Sequence, residues 1–198
     1  MKENTREHLA TLASNILNPF LIALAMIVVL AIQSTTSILS ALRWSAVVAV
    51  ISIGPILLIV AYLVRRGRLS SLLSAIRQQR TEVYLMAGAV IVLDYVILRW
   101  INAPGLLVTG ISSGMPMVIL FMCINFFWKI SVHAATMSAL VVVLVILFGW
   151  LALISVLLLV AVSWARVVLK EHTAAQVIAG AVVSAVTVAV SFHFGGVF

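Results

Sequence analysis

Apolar residues run in long unbroken blocks along this chain, separated by short polar punctuation. Seven blocks are candidate membrane-spanning helices: residues 16–32, 45–64, 83–98, 105–128, 134–148, 151–164 and 173–192. None alternates as a barrel strand would, and a helix satisfies its own backbone groups in hydrocarbon. The fold class predicted is therefore all-α: a polytopic transmembrane helix bundle of about seven spans, forming a single integral membrane domain over residues 1–198. The fifth and sixth blocks are the shortest, about four turns or ~22 Å each against ~30 Å of hydrocarbon. Only Gly149-Trp150 parts them. They are either an antiparallel pair or one long helix, and the choice decides which of their ends share a face.

The connections are short, with two exceptions. Residues 33–44 are polar, with Ser-Thr-Thr-Ser turn chemistry. Residues 65–82 hold Arg65, Arg66, Arg68, Arg77 and Arg80, while Leu69, Leu72, Leu73 and Ile76 recur at helical spacing. That pattern predicts a short amphipathic helix on the membrane surface. The first fifteen residues are polar and carry both signs of charge. No small-residue cleavage site follows the first apolar block, so it is read as a retained span rather than a signal peptide.

Composition agrees with this picture and narrows it. Of 198 residues, 65% are hydrophobic and 9% charged, and the mean hydropathy is +1.30. Soluble domains carry about 25% charged residues, so lipid must be the solvent for most of this surface. The formal charge is +7, but the cations sit between apolar blocks, as orientation signals, headgroup contacts or an anion site would, and not as a nucleic-acid footprint. With seven spans, ten of the twelve Lys and Arg share one face, and only Arg43 and Arg99 lie on the other. The positive-inside rule makes the rich face cytoplasmic, together with the N-terminus, and puts the C-terminus on the opposite side. Cys123 is the only cysteine and has no partner for a disulfide within the chain.

Three clusters fall on the basic face: Lys129-Ile130-Ser131-Val132-His133; Arg166 to His172, with Gln176 four positions on; and Arg77-Gln78-Gln79-Arg80. Arginine and lysine neutralise phosphate, arginine with bidentate contacts. One histidine can attack phosphorus while a second protonates the departing alkoxide, and serine adds a hydroxyl donor. There is no Asp/Glu cluster for magnesium or calcium, and two histidines make a poor zinc site. Neither metal nor cofactor is expected. Each cluster also has a plainer reading. Ser131 can cap a helix that His133 opens, and Arg166 and Lys170 can be snorkelling residues at a helix end.

In order and spacing these residues resemble the type 2 phosphatidic acid phosphatase superfamily, polytopic lipid phosphatases related in fold to vanadium haloperoxidases. Its third motif is Ser-Arg-x5-His-x3-Asp. Arg166 and His172 match at the right spacing, with Ala165 for the serine and Gln176 for the aspartate. Its second motif is Pro-Ser-Gly-His, matched by Ser131 and His133, with Ile130 and Val132 in place of proline and glycine. The first motif, Lys-x6-Arg-Pro, is not present in form. Arg77 and Arg80 occupy that stretch, and Lys129 can supply an ammonium. The resemblance covers residues 65–198 and implies a phosphatase-like helical core there. It assigns phosphate binding to Arg166, Ser131, Lys129, Arg77 and Arg80, nucleophilic attack to His172, proton donation to His133, and orientation of His172 to Gln176. The implied partners are membrane lipids and a lipid phosphate substrate, an isoprenyl or glycerolipid phosphomonoester or pyrophosphate, and no nucleic acid. Glutamine offers no negative charge to an imidazolium, so the same residues also fit a membrane protein that binds anionic lipid without turning it over. A transporter of a small molecule is the third class.

Outside these clusters, Asp94 lies well inside the third block, where charge is costly, with Arg99 five residues on. It is open to three readings: a snorkelling pair, a neutral acid bonded within the bundle, or a proton or substrate contact. Gly110, Gly114 and Pro116 interrupt the fourth block and suit close packing or a kink.

Overall fold

The computed structural model describes residues 2–69 and 80–198, and among these every regular element is helical. Helix α1 spans Lys2–Ile16, α2 Pro19–Ser34, α3 Ile38–Val48, α4 Gly54–Arg65, α5 Arg80–Trp100, α6 Gly105–Ser112, α7 Gly114–Asn125, α8 Val132–Phe148, α9 Val156–Val168 and α10 Ala174–Phe194. A π-helical turn, Ala49–Ile53, joins α3 to α4, and a 3-10 turn, Trp150–Ser155, leads into α9.

Five stretches are long and apolar enough to cross a membrane: Ile38–Arg65, Arg80–Trp100, Gly105–Asn125, Trp150–Val168 and Ala174–Phe194. A sixth is formed if the pair Asn4–Ile16 and Pro19–Ser34, bent by 41°, counts as one span. Val132–Phe148 is apolar but, at 17 residues, shorter than these. Leu58, Trp100, Phe127, Ile154, Leu157 and Phe194 stand exposed, as a lipid-facing surface requires.

Element ends follow local chemistry. Asn18 accepts from the N–H groups of Phe20 and Leu21, both at 3.0 Å, and Pro19 supplies a pre-set φ for the first turn of α2. The polar connection expected over 33–44 is shorter than that. Ser37 caps α3, accepting from Ser40 N–H at 3.2 Å, so the helix starts at Ile38 and carries Arg43 on its exposed surface. The surface helix expected from Leu72, Leu73 and Ile76 lies outside the described residues. So does Arg77.

The chain divides into two compact units. The first comprises Met1–Met26, Lys129–Val190 and Phe198. At its centre is α8, buried on nearly all sides, with Met137, Leu140 and Val141 packed against Ile22 and Val162. The chain leaves α8 at Gly149, whose φ of 75° few other residues adopt cheaply, and α9 packs back along α8. Residues 134–164 are thus a helical hairpin and not one continuous helix. Serines fasten α8 to α10: Ser138 Oγ donates to Ala181 C=O at 2.8 Å, and Ser184 Oγ to Ala135 C=O at 2.7 Å. Helix α1, which lacks an apolar run, lays Ala10 and Ser14 against α9.

The second unit comprises Ile27–Trp128 and Ser191–Val197. Helices α4 and α5 bury Val60, Leu63 and Leu69 between Ile56, Ile59, Val83 and Met86. Helices α5 and α7 approach through glycine: a Cβ on Gly114 would meet Ile91 Cδ1 at 3.1 Å. Tyr84 and Phe121 meet edge to face, with centroids 6.5 Å apart.

Candidate functional site

The two segments that carry Ser131 and Arg166 meet in the first unit, and the reason is the hairpin. By turning back at Gly149, the chain returns the C-terminal end of α9 to the level at which α8 begins. Ser131 is the N-cap of α8, with extended backbone (φ −87°, ψ 108°), and its Oγ accepts from Ala134 N–H at 3.4 Å. Its own N–H donates to the Gln176 carbonyl at 3.3 Å, which ties the start of α8 to the first turn of α10. A Cβ on Gly180, one turn later, would lie 2.6 Å from the Ser131 carbonyl oxygen. Only glycine lets α10 come this close.

Arg166 sits in the last turn of α9, almost fully buried. Its Nη1 donates to Ser14 Oγ at 2.9 Å, a contact across 152 residues of sequence. The chain then leaves the helix through Lys170, whose φ is 55°, while the N–H groups of Glu171 and His172 both donate to the Arg166 carbonyl, at 3.1 and 3.2 Å. This left-handed exit turns Glu171 back over the helix end. Its Oε2 stands 3.6 Å from Arg166 Nη2 and 4.0 Å from Lys129 Nζ, while Lys129 Nζ also donates to the Glu171 carbonyl. One carboxylate oxygen thus lies between the two cations, at ion-pair rather than hydrogen-bond distance.

His172 is buried beside them. Its Nδ1 lies 3.2 Å from Gln176 Oε1, and the same oxygen accepts Thr173 N–H at 3.2 Å. Gln176 N–H in turn donates to Thr173 Oγ1 at 3.3 Å. Thr173 to Gln176 is therefore a capping box opening α10. An amide oxygen only accepts, so in the neutral ring Nδ1 carries the proton and Nε2 the lone pair. His133 is buried in the first turn of α8.

The structure thus brings Lys129, Ser131, Arg166, His172 and Gln176 together through direct contacts, with His133 two residues from Ser131. Arg80 belongs to the second unit, buried at the start of α5 one turn before Tyr84. Three further residues shape the site: Ser14, Glu171 and Gly180. Chemically, the cluster is a largely buried pair of cations around one carboxylate, with a tautomer-locked imidazole beside it. No family model, curated protein or solved structure matches the chain.

Proposed function

We propose that this chain is a membrane lipid phosphate phosphatase, a divergent member of the type 2 phosphatidic acid phosphatase superfamily, and that the cluster around Arg166 and His172 is its active site. The observation that carries this reading is the bond between His172 Nδ1 and Gln176 Oε1, which keeps the ring proton on Nδ1 and so makes Nε2 the nucleophilic nitrogen of this reading. Arg166 and Lys129 neutralise the phosphoryl oxygens, and the Ser131 hydroxyl adds a donor. As the N–P bond forms, the bond from phosphorus to the lipid oxygen breaks, and His133 gives that oxygen its proton. Water then attacks the phosphohistidine, His133 takes the water's proton, and inorganic phosphate leaves with His172 restored.

The same reading extends to topology. Counting Val132–Phe148 and the bent pair as spans gives seven, with the site, the N-terminus and most of the cations in the cytoplasm and the C-terminus opposite. A second reading is favoured by one feature: the group behind His172 is an amide, which gives no charge to an imidazolium and also serves the helix cap. On that reading the site holds anionic lipid without turnover. Phosphate release from isoprenyl and glycerolipid phosphates by purified protein in detergent separates the two. Release that disappears in His172→Ala supports the phosphatase. Binding of the same lipids with no release by the parent protein supports the binder.

A further inference from the structure

Asp94 is the sole aspartate in the sequence, and it lies in the second unit. It is 1% exposed, on a helix whose Val92, Leu93 and Val96 face outward. Among the described residues no ion pair reaches its carboxyl, and neither oxygen meets full hydrogen-bond geometry with a neighbour. Arg99, five residues on, points about 140° away around α5 and is exposed. The helices packed on α5 bring no cation to it either. On α4, Tyr62 and Arg65 are exposed; α6 and the π-helical turn carry no titratable side chain; on α7, Cys123 is exposed. On α5 itself Tyr95 is exposed, Glu82 pairs with Arg68, and Arg80 and Tyr84 lie ten or more residues back.

What does face Asp94 is the break in the preceding span. The π-helical turn Ala49–Ile53 packs on α5, and its buried Ser52 places a hydroxyl beside the Asp94 carboxyl, able to donate to it. The break has a local cause. Pro55 has no N–H for the Ile51 carbonyl four residues back, and its ring crowds that carbonyl, so the helix widens before it. At the near end of α5, about 9 Å along the axis from Asp94, a cleft of about 500 Å³ opens between Arg99, Val108, Thr109, Gly195 and Val197.

We infer that Asp94, with Ser52 in the π-helical turn, is an exchangeable proton-binding site in the membrane interior of the second unit. A carboxylate without a cation is costly at this depth, whereas the neutral acid is tolerated. Three side-chain oxygens are also fewer than the six or more that a hard cation such as calcium takes. The proton comes from solvent water and returns to it. While the carboxyl is charged, the Ser52 O–H donates to it. Once the proton is bound, the acid's carbonyl oxygen still accepts that O–H. This site is independent of the phosphate cluster and of its proposed chemistry.

The first measurement needs no variant, because aspartate carrying ¹³C in its carboxyl labels this position alone. Infrared difference spectra of the labelled protein in lipid nanodiscs should show a neutral-acid carbonyl band at pH 7 that moves on transfer to D₂O and is lost in alkali. Ser52→Ala should move that band to higher frequency, because the carbonyl loses its donor. A carboxylate band at pH 7 overturns the inference, including one that becomes an acid only when sodium is replaced by a bulky organic cation, which assigns a sodium site instead. An acid band that never shifts in D₂O also overturns it, since the proton is then a fixed part of the core.

Discussion

Glu171 Oε2 and Arg166 Nη2 stand 3.6 Å apart, and Lys129 Nζ lies 4.0 Å from the same oxygen. An internal carboxylate therefore occupies the position between the two cations where a phosphoryl oxygen would be expected to sit. The Glu171 side chain is one-third exposed, but Arg166 and the carboxylate oxygen that faces it are buried, so whatever displaces Glu171 must itself pair with the arginine. A phosphate meets that condition. Glu171→Gln removes the competitor while keeping the shape. The expected outcome is tighter binding of a short-chain phosphatidic acid, by up to about fivefold, measured by calorimetry in detergent. Weaker binding would show that the carboxylate serves to hold Arg166 and Lys129 in place rather than to compete for them.

The second prediction concerns the amide behind His172. Gln176 Oε1 serves both the imidazole and the Thr173 N–H, so a useful substitution must keep its reach. Gln176→Glu does, adds the missing charge, and places it in the first turn of α10, where the helix dipole favours it. Hydrolysis of lipid phosphate should rise at least about tenfold; in a serine protease the corresponding carboxylate is worth ~10⁴. Gln176→Asp is one methylene shorter and should do less, because it gives up the cap to reach the ring. Equal rates in the parent and the Glu form, with hydrolysis still lost in His172→Ala, would mean that charge behind the imidazole is not limiting.

Much of this arrangement was legible in the sequence, and the parts that were not share physical causes. Five of the seven expected spans announced themselves because lipid demands long apolar blocks, while the first is bent and Val132–Phe148 is short. The hairpin was in view at Gly149-Trp150, although only the geometry chose it over a continuous helix. Helix α1 was hidden because its inward side is just Ala10 and Ser14, small residues that leave no hydrophobic run. Ser14 could not be paired with Arg166 from sequence, since 152 residues separate them. Glu171 carries no role on sequence spacing alone, because adjacent residues on a helix point apart. Neither it nor His172 is on a helix: α9 ends at Val168, Lys170 turns left-handed, and α10 starts at Ala174. The role of Gln176 was half visible, as a partner for the imidazole but not as the second half of a capping box.

Gly180 gives a third prediction, whose sign opposes helix propensity. Alanine in place of glycine inside a helix ordinarily stabilises by about 1 kcal/mol. Here the new methyl would stand 2.6 Å from the Ser131 carbonyl oxygen, which is backbone and cannot swing aside. Helix α10 must move away, stretching the bond from Ser131 N–H to the Gln176 carbonyl. Gly180→Ala should cost about 1–3 kcal/mol, seen as a lower thermal midpoint in detergent, and should reduce phosphate binding by displacing Gln176 from His172. An unchanged or higher midpoint would show that α10 can shift away from Ser131 without cost.

The last prediction concerns which side the site faces. Arg68 follows α4 and Ser37 precedes α3, so the two lie at opposite ends of the 28-residue span Ile38–Arg65, and both are exposed. On the topology proposed above, the Arg68 end lies in the cytoplasm. Removing the candidate-site cations Arg77, Arg80, Lys129, Arg166 and Lys170 from the tally leaves five cations on that face against two, so the assignment does not depend on the site it orients. In a background where Cys123 is replaced by serine, cysteine at position 37 should react with an impermeant maleimide added to intact cells. Cysteine at position 68 should react only after the membrane is opened. The reverse pattern would place the span, and with it the seven-span assignment of the phosphate cluster, the other way round. It would move the expected substrate pool from the inner leaflet to the outer one while leaving the chemistry proposed for His172 untouched.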